Sequence, residues 1–333
     1  MQKFAICSKL PVRSTAGSKA VVDADSILTA NGYRPLYQSW MIPYADKYWL
    51  LRKFNHCLNS LMCYVTGLLI KTDSEYFLQW PSYNPAVSYI YKSLLNKRPR
   101  LKILIHDINI LRDSALTAND SYFEDILRLA DTVIAHSESM KMYLVGRGIE
   151  SSKIRVLTCF DYLTDEECPS RKLSNEVVFA GNLIKSKFLD NLKPEGNVIY
   201  NCYGIKDELF PSDLIYKGKF SPDRVSVIEG SWGLVWDGDS IETCSGAFGK
   251  YLMYNAPHKL SLYMVSGLPV FIWRKQALAE YVVNNRLGYA IDSLKDIPDL
   301  IASCTSEEYD SMHANVKQFA QILKSGGHLK DCL

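Results

Sequence analysis

Apolar runs of strand length alternate with amphipathic runs of helix length, and the alternation occurs twice along the 333 residues. That grammar fits parallel sheets flanked by helices, because a parallel strand pair needs a crossover long enough to hold a helix. In the first half "KFAIC", "EYFLQW", "LKILIHD", "TVIA" and "IRVL" read as strands. A helix is expected over 18–30, with Val21, Val22, Ala24, Ile27 and Leu28 as its apolar face, and another over 50–70. Ser121 with Glu124 and Thr305 with Glu308 have capping-box spacing, and Ser137 precedes a further helix. Residues 161–174 are polar, contain Pro169 and read as a linker.

The same grammar restarts with "EVVFAGN", "NVIYNCYG", "LIYKGKF" and "WGLVWDG". The sequence thus predicts two doubly wound, Rossmann-like parallel-sheet domains, over 1–160 and 175–312. A closing helix carries Tyr309, Met312, Val316, Phe319 and Leu323 on one stripe, and its part over 313–333 is expected to pack back on the first domain. Such folds bind ligands at the carboxyl ends of their strands, here expected in a cleft between the domains.

Composition narrows the chemistry. A net charge of +2 gives no global field for nucleic acid. Nine scattered cysteines without a CxxC pair read as reduced thiols of a cytoplasmic protein rather than zinc ligands or disulfides. "LNSLMCYVTGLLI" is shorter than the roughly 20 residues a spanning helix needs. No signal peptide is read at the start. No GxGxxG or GxxxxGK[ST] follows a strand, which argues against a dinucleotide cofactor or a P-loop.

The segment "YNAPHKLSLYMVSGLPVFIW" is the densest site signal. A helix opening at Pro257, with Asn255, His258 and Lys259 at its mouth, suits an anion such as a phosphate. Other polar residues fall at strand ends: Lys185 after "FAGN", Tyr203 after "NC", and Asp237 and Asp239 after "VW". Cations and N–H groups for phosphates beside a ring for a base are what a nucleoside diphosphate requires. Each also has a plainer reading: surface lysines, a packing tyrosine, and Asn255 as a helix cap. Asp237-Gly238-Asp239 is a DxD pattern, which an Asp-Gly turn explains more simply than a metal. In the first half His106 and Asp107 end an apolar strand, where either can serve as a general base, and Arg112 can steady Asp107 or bind an acceptor. Thr15, Gly17 and Ser18 open another helix and would let a sugar or phosphate approach the backbone.

"FAGNLIKSKFL", "GLVWDGDS", "YNAPHKLSLYMVSGLPVFIW" and "LIHDINILR" resemble the bacterial transferases that glucosylate GlcNAc on serine-rich streptococcal adhesins. They are also similar to galactofuranosyltransferases of O-antigen synthesis. The resemblance implies the GT-B architecture and transfer of a hexose from a UDP-sugar with inversion and without a metal or cofactor. It implies a saccharide, glycoprotein or lipid-linked acceptor and a homo-oligomer. Asn255, His258, Lys259, Lys185 and Tyr203 would hold the nucleotide sugar together with Thr15, Gly17 and Ser18, while Asp107 or His106 would be the base. Two other functions remain open on this reading: a binding subunit that has lost catalysis, and a sugar-nucleotide epimerase. For the aromatic stretch 40–70 three contacts stay open: a membrane surface at its inner face, an acceptor or another subunit.

Overall fold

A computed structural model of the chain describes residues 1–9, 16–40, 48–112 and 118–333. Its residues cluster in two units, one formed by 1–13, 21–157 and 332–333, the other by 14–20 and 158–331.

In chain order, the first unit's elements are β1 (Lys3–Lys9), α1 (Ala16–Ala30, through Ala20 assigned to the second unit), β2 (Arg34–Trp40), α2 (Trp49–Leu69), β3 (Glu75–Trp80), α3 (Ser88–Lys97), β4 (Arg100–Ile105), α4 (Phe123–Leu129), β5 (Thr132–Ala135), α5 (Glu138–Gly146) and β6 (Ile154–Val156). The six strands pair in parallel in the order β2-β1-β3-β4-β5-β6. β3 is buried along its whole length, as a central parallel strand covered on both faces must be. Ala24, Ile27 and Leu28 bury the inner face of α1, whereas Val22, expected on that face, is exposed. Ser137 caps α5 by accepting a bond from the Met140 N–H. The capping box expected at Ser121 does not form: α4 begins at Phe123 after a 3-10 turn, and the Glu124 carboxylate instead pairs with Arg128 and Arg147.

The second unit holds β7 (Glu176–Asn182), β8 (Ile199–Ile205), β9 (Ile215–Gly218), β10 (Trp232–Val235), α6 (Gly246–Tyr251), α7 (His258–Val265), β11 (Val270–Trp273), α8 (Ala279–Asn284), β12 (Gly288–Ile291), α9 (Ile297–Ser303), α10 (Ser306–Lys324) and α11 (Gly327–Cys332). Its sheet is again six-stranded and parallel, in the order β12-β11-β10-β7-β8-β9. A cluster around Phe179, Trp232, Phe271 and Tyr309 fills one side of this sheet.

Two boundaries differ from expectation. Residues 161–174 form no regular element but are tied into the second unit: the Asp161 carboxylate accepts the His328 and Leu329 N–H groups, and the Tyr162 hydroxyl donates to the Pro222 carbonyl at 2.5 Å. α10 also belongs to the second unit, where Tyr309 donates to the Ser231 carbonyl and His313 meets the Gly267 carbonyl at 2.9 Å beside α7. Only Cys332 and Leu333 cluster with the first unit. All nine cysteines are thiols, seven of them buried, one half-buried and Cys57 exposed.

Candidate active site

Leu260 to Val265 are all buried, so α7 is fixed in the second unit by an apolar surface nearly all round. Its first turn is different. Pro257 is the N-cap residue and no side-chain cap bond forms, so among the described residues the first N–H groups find no side-chain acceptor. Asn255 does not act as the cap. Its Oδ1 is buried without a hydrogen-bond partner, and its backbone carbonyl accepts from Gln276 at 2.8 Å.

Lys259 extends toward the carboxyl ends of β10 and β7. Its ammonium donates to the Trp236 carbonyl at 2.8 Å, lies 3.6 Å from the Asp237 carboxylate, and sits 4.6 Å from the centre of the Phe179 ring. A single backbone acceptor, one carboxylate and a π-face hold this charge in place, with the side chain only 14% exposed. Asp237 also accepts from the Gly238 N–H, giving the Asp-Gly turn expected there. The Gly238 carbonyl receives the Phe188 N–H, which joins the loop carrying Lys185 to the same turn. Lys185 is exposed, with its ammonium 5.7 Å from the Phe248 ring. Among the described residues no group of His, Cys, Asp or Glu is arranged to hold a metal.

His258, the first residue of α7, has both ring nitrogens buried and unpartnered. Its ring stacks on Tyr162 at 5.0 Å and lies 6.2 Å from Phe160. Burial, with the nearby Lys19 charge adding to it, pushes the imidazole down to about 3, so it is neutral at physiological pH. Lys19 sits over the other partner of that stack, 5.2 Å from the Tyr162 ring, and is held by the Leu163 carbonyl at 2.5 Å and Asp223 at 2.9 Å. The start of α1 and the start of α7, remote in sequence, thus meet through Tyr162 within one unit. Gly17 and Ser18 lie in that first turn of α1, while Thr15 is outside the described residues.

Tyr203 is placed differently. It is 4% exposed, its hydroxyl donates to the Val227 carbonyl and accepts the Glu229 N–H, and its ring meets Phe220 edge-on. These contacts fix the side chain near the carboxyl end of β8.

In the first unit His106 and Asp107 follow the last residue of β4, as expected. Asp107 accepts from Arg112 at 2.5 Å, both side chains remaining partly exposed. His106 Nε2 meets Gln79 Oε1 at 2.6 Å, and the Gln79 amide donates to Asp25 Oδ1 at 2.6 Å. Burial raises Asp25 to about 6 against the bonds from Cys7 and Gln79, which lower it. A polar chain from Asp25 through Gln79 therefore orients the His106 ring. Neither residue stood out in the sequence. Just beyond Asp107, a cavity of about 480 Å³ is lined by Trp80, Asn109, Asp120, Phe123, Tyr143 and Arg147.

The model of the glucosyltransferase 3-like N-terminal domain matches residues 6–159, and that of the glucosyltransferase 3-like C-terminal domain matches 177–333. The chain belongs to the glucosyltransferase 3-like family of glycosyltransferases. It is 38% identical to the beta-1,6-galactofuranosyltransferase WbbI of Escherichia coli K12 over 242 residues, 70% of each chain. Identity to glucosyltransferase 3 of Streptococcus gordonii is 25% over 249 residues, again 70% of each. The Anabaena protein Alr3699/HepE, solved in complex with UDP-glucose, superposes with a TM-score of 0.63 at 12% identity, over 98% of this chain and 97% of that one. The fold of this family member is GT-B, two Rossmann-like units each built on a parallel sheet.

Proposed function

We propose that this glycosyltransferase takes a hexose from a UDP-sugar and places it, with inversion and without a metal, on a hydroxyl of a glycan, glycoprotein or lipid-linked saccharide. The observation that carries the donor reading is the mouth of α7: an uncapped helix start where Asn255 Oδ1 and both nitrogens of a neutral His258 are buried without partners. Buried polar atoms left unpaired cost about 1–3 kcal/mol each, so such a cluster is best understood as completed by a ligand. Helix N–H groups and the Lys259 ammonium suit its diphosphate. The neighbour solved with UDP-glucose and the two transferases named above favour a UDP-hexose, and the higher identity to WbbI ranks galactofuranose first among the sugars.

Transfer is one displacement. The acceptor hydroxyl loses its proton to Asp107 or His106 as its oxygen bonds the anomeric carbon, and the electron pair of the breaking glycosidic bond leaves on UDP. Negative charge grows on the diphosphate in the transition state, where Lys259, Lys185 and the start of α7 would stabilise it. Asp120, Arg147 and the aromatic lining of the cavity beyond Asp107 suit a saccharide acceptor.

Thermal shift with UDP, GDP, CMP and dTDP, each with and without EDTA, tests the donor site. A UDP-selective rise that survives EDTA is expected, and occupancy at a hundred times Kd adds about 2.7 kcal/mol. UDP release from UDP-galactofuranose, UDP-galactose and UDP-glucose then ranks the sugars. No rise with any nucleotide would sink the reading.

A further inference from the structure

The helix α2 presents two faces with different fates. One is docked on the first unit: Cys63 donates to the Gln38 carbonyl at 3.0 Å, Thr66 donates to the Tyr37 carbonyl at 2.8 Å, and Gly67 lies against the Tyr89 backbone. Lys97 reaches back to the Gly67, Leu68 and Ile70 carbonyls and satisfies the end of the helix. On the opposite face Leu50, Phe54, Cys57, Leu61, Tyr64 and Leu68 recur at intervals of four and three, and all six are exposed. Leu50, Phe54, Leu61 and Leu68 are each at least 60% exposed. Such spacing keeps side chains on one stripe, about 27 Å long at 1.5 Å per residue.

Charge separates a second copy of this helix from a lipid surface as the occupant. From Tyr48 to Thr72 the chain has no Asp or Glu, while Arg52, Lys53 and Lys71 are basic. A parallel pairing of two copies would set Arg52 and Lys53 against themselves, and an antiparallel one would offer them no carboxylate. Anionic headgroups supply what the helix lacks. The flanks agree with this: Tyr48 and Trp49 are exposed at one end, Lys53 folds its ammonium 4.7 Å from the Trp49 ring, and Tyr64 meets Tyr89 of α3 edge-on at 5.8 Å. Aromatic rings and long basic side chains at the border of an apolar stripe are the features of a helix lying in a membrane interface. Among the described residues no helix is long and apolar enough to cross a membrane.

We propose that the exposed stripe of α2 docks the protein on an anionic lipid bilayer, the helix lying parallel to the surface. The assignment does not depend on the nucleotide site and is tested without nucleotide. The 333-residue chain is sedimented with vesicles of phosphatidylethanolamine and phosphatidylglycerol, or of phosphatidylcholine alone, and its mass in solution is measured by light scattering. Wild type is expected to pellet with the anionic vesicles and to stay in solution with the neutral ones. Leu61→Asp should weaken that partition by about tenfold or more, and Lys53→Glu by a smaller factor. Leu50→Ser, at a position 63% exposed, repeats the test should Leu61→Asp fail to fold. Wild type that stays in solution with both vesicles overturns the proposal, as does binding undiminished by the substitutions. A wild-type dimer that Leu61→Asp converts to monomers, without vesicle binding by either, would make the stripe a contact between copies instead.

Discussion

The His258 ring lies over Tyr162 with centroids 5.0 Å apart and neither of its nitrogens hydrogen-bonded. Stacking fixes the plane of the imidazole at the start of α7, with both nitrogens buried and unpaired. His258→Phe keeps the stack and removes two buried unpaired atoms, so the ligand-free protein is expected to be as stable as wild type or more so. UDP affinity should nevertheless fall by about tenfold, the value of one or two hydrogen bonds. Calorimetric titration beside a melting curve separates the two effects. Unchanged affinity would remove His258 from the site.

The same residue has a pH signature. Its folded value near 3 lies below the unfolded value of 6.5, so the unfolded chain binds the extra proton between them. Stability is therefore complete above about pH 6.5 and declines as pH falls toward 3, by up to about 1.4 kcal/mol per pH unit. His136 in the first unit, pushed down to about 4 by complete burial, acts in the same direction. Proton NMR of the His258 ring should show it neutral at pH 5. A ring titrating near 6.5 would mean that the site is open to water.

Lys259 and Lys185 should not be equivalent. Lys259 is 14% exposed and held by Trp236, Asp237 and Phe179, so its charge acts with little screening. Lys259→Ala is expected to lower the rate of UDP release from the donor in the presence of acceptor by about a hundredfold. Lys185 is exposed over Phe248, and its loss should cost about tenfold or less. Equal effects from the two variants would contradict the ranking.

Strand positions were legible because parallel central strands are short apolar runs, and the start of α7 was legible because Asn, Pro, His and Lys gather before an apolar helix. Tyr162 and Asp161 were not. They lie in a polar, irregular stretch whose periodicity marks a linker, and only the folded chain shows them under His258 and at the start of α11. The contacts of Tyr203 were hidden for a different reason. A tyrosine near a strand end is compatible with a ligand or with a core, and its two backbone bonds to 227 and 229 are long-range facts without a local signal. The capping box at Ser121 was lost to tertiary pairing, since Glu124 gains two arginines in place of one backbone N–H.

Gly204 is a position where no side chain fits. Its φ is +142°, and a Cβ there would lie 1.8 Å from the carbonyl oxygen of Gly181, its partner across β7 and β8. Gly204→Ala must part the two strands just before the loop that carries Lys185. A loss of about 3 kcal/mol or more in urea unfolding is expected, together with weaker UDP binding. A variant of wild-type stability would show that the strands separate there without cost.

Asp25 gives the first unit a pH dependence of its own, opposite in sign to that of the histidines. Its folded value of about 6 lies above the ordinary 3.8, so the folded protein holds a proton that the unfolded chain has lost. Stability contributed by the protonated form is present below about pH 4 and is lost as pH rises through 6. Asn keeps an acceptor for Cys7 and Gln79 without the buried charge. Asp25→Asn is therefore expected to stabilise the protein at about pH 8 by up to about 3 kcal/mol and to have little effect at about pH 4, read from urea midpoints at constant slope. If the gain at the higher pH comes with a shifted pH–rate profile, the chain through Gln79 orients His106 during the reaction. A variant less stable at the higher pH would mean that the Asp25 charge is balanced in the fold, and the polar chain would then be purely structural.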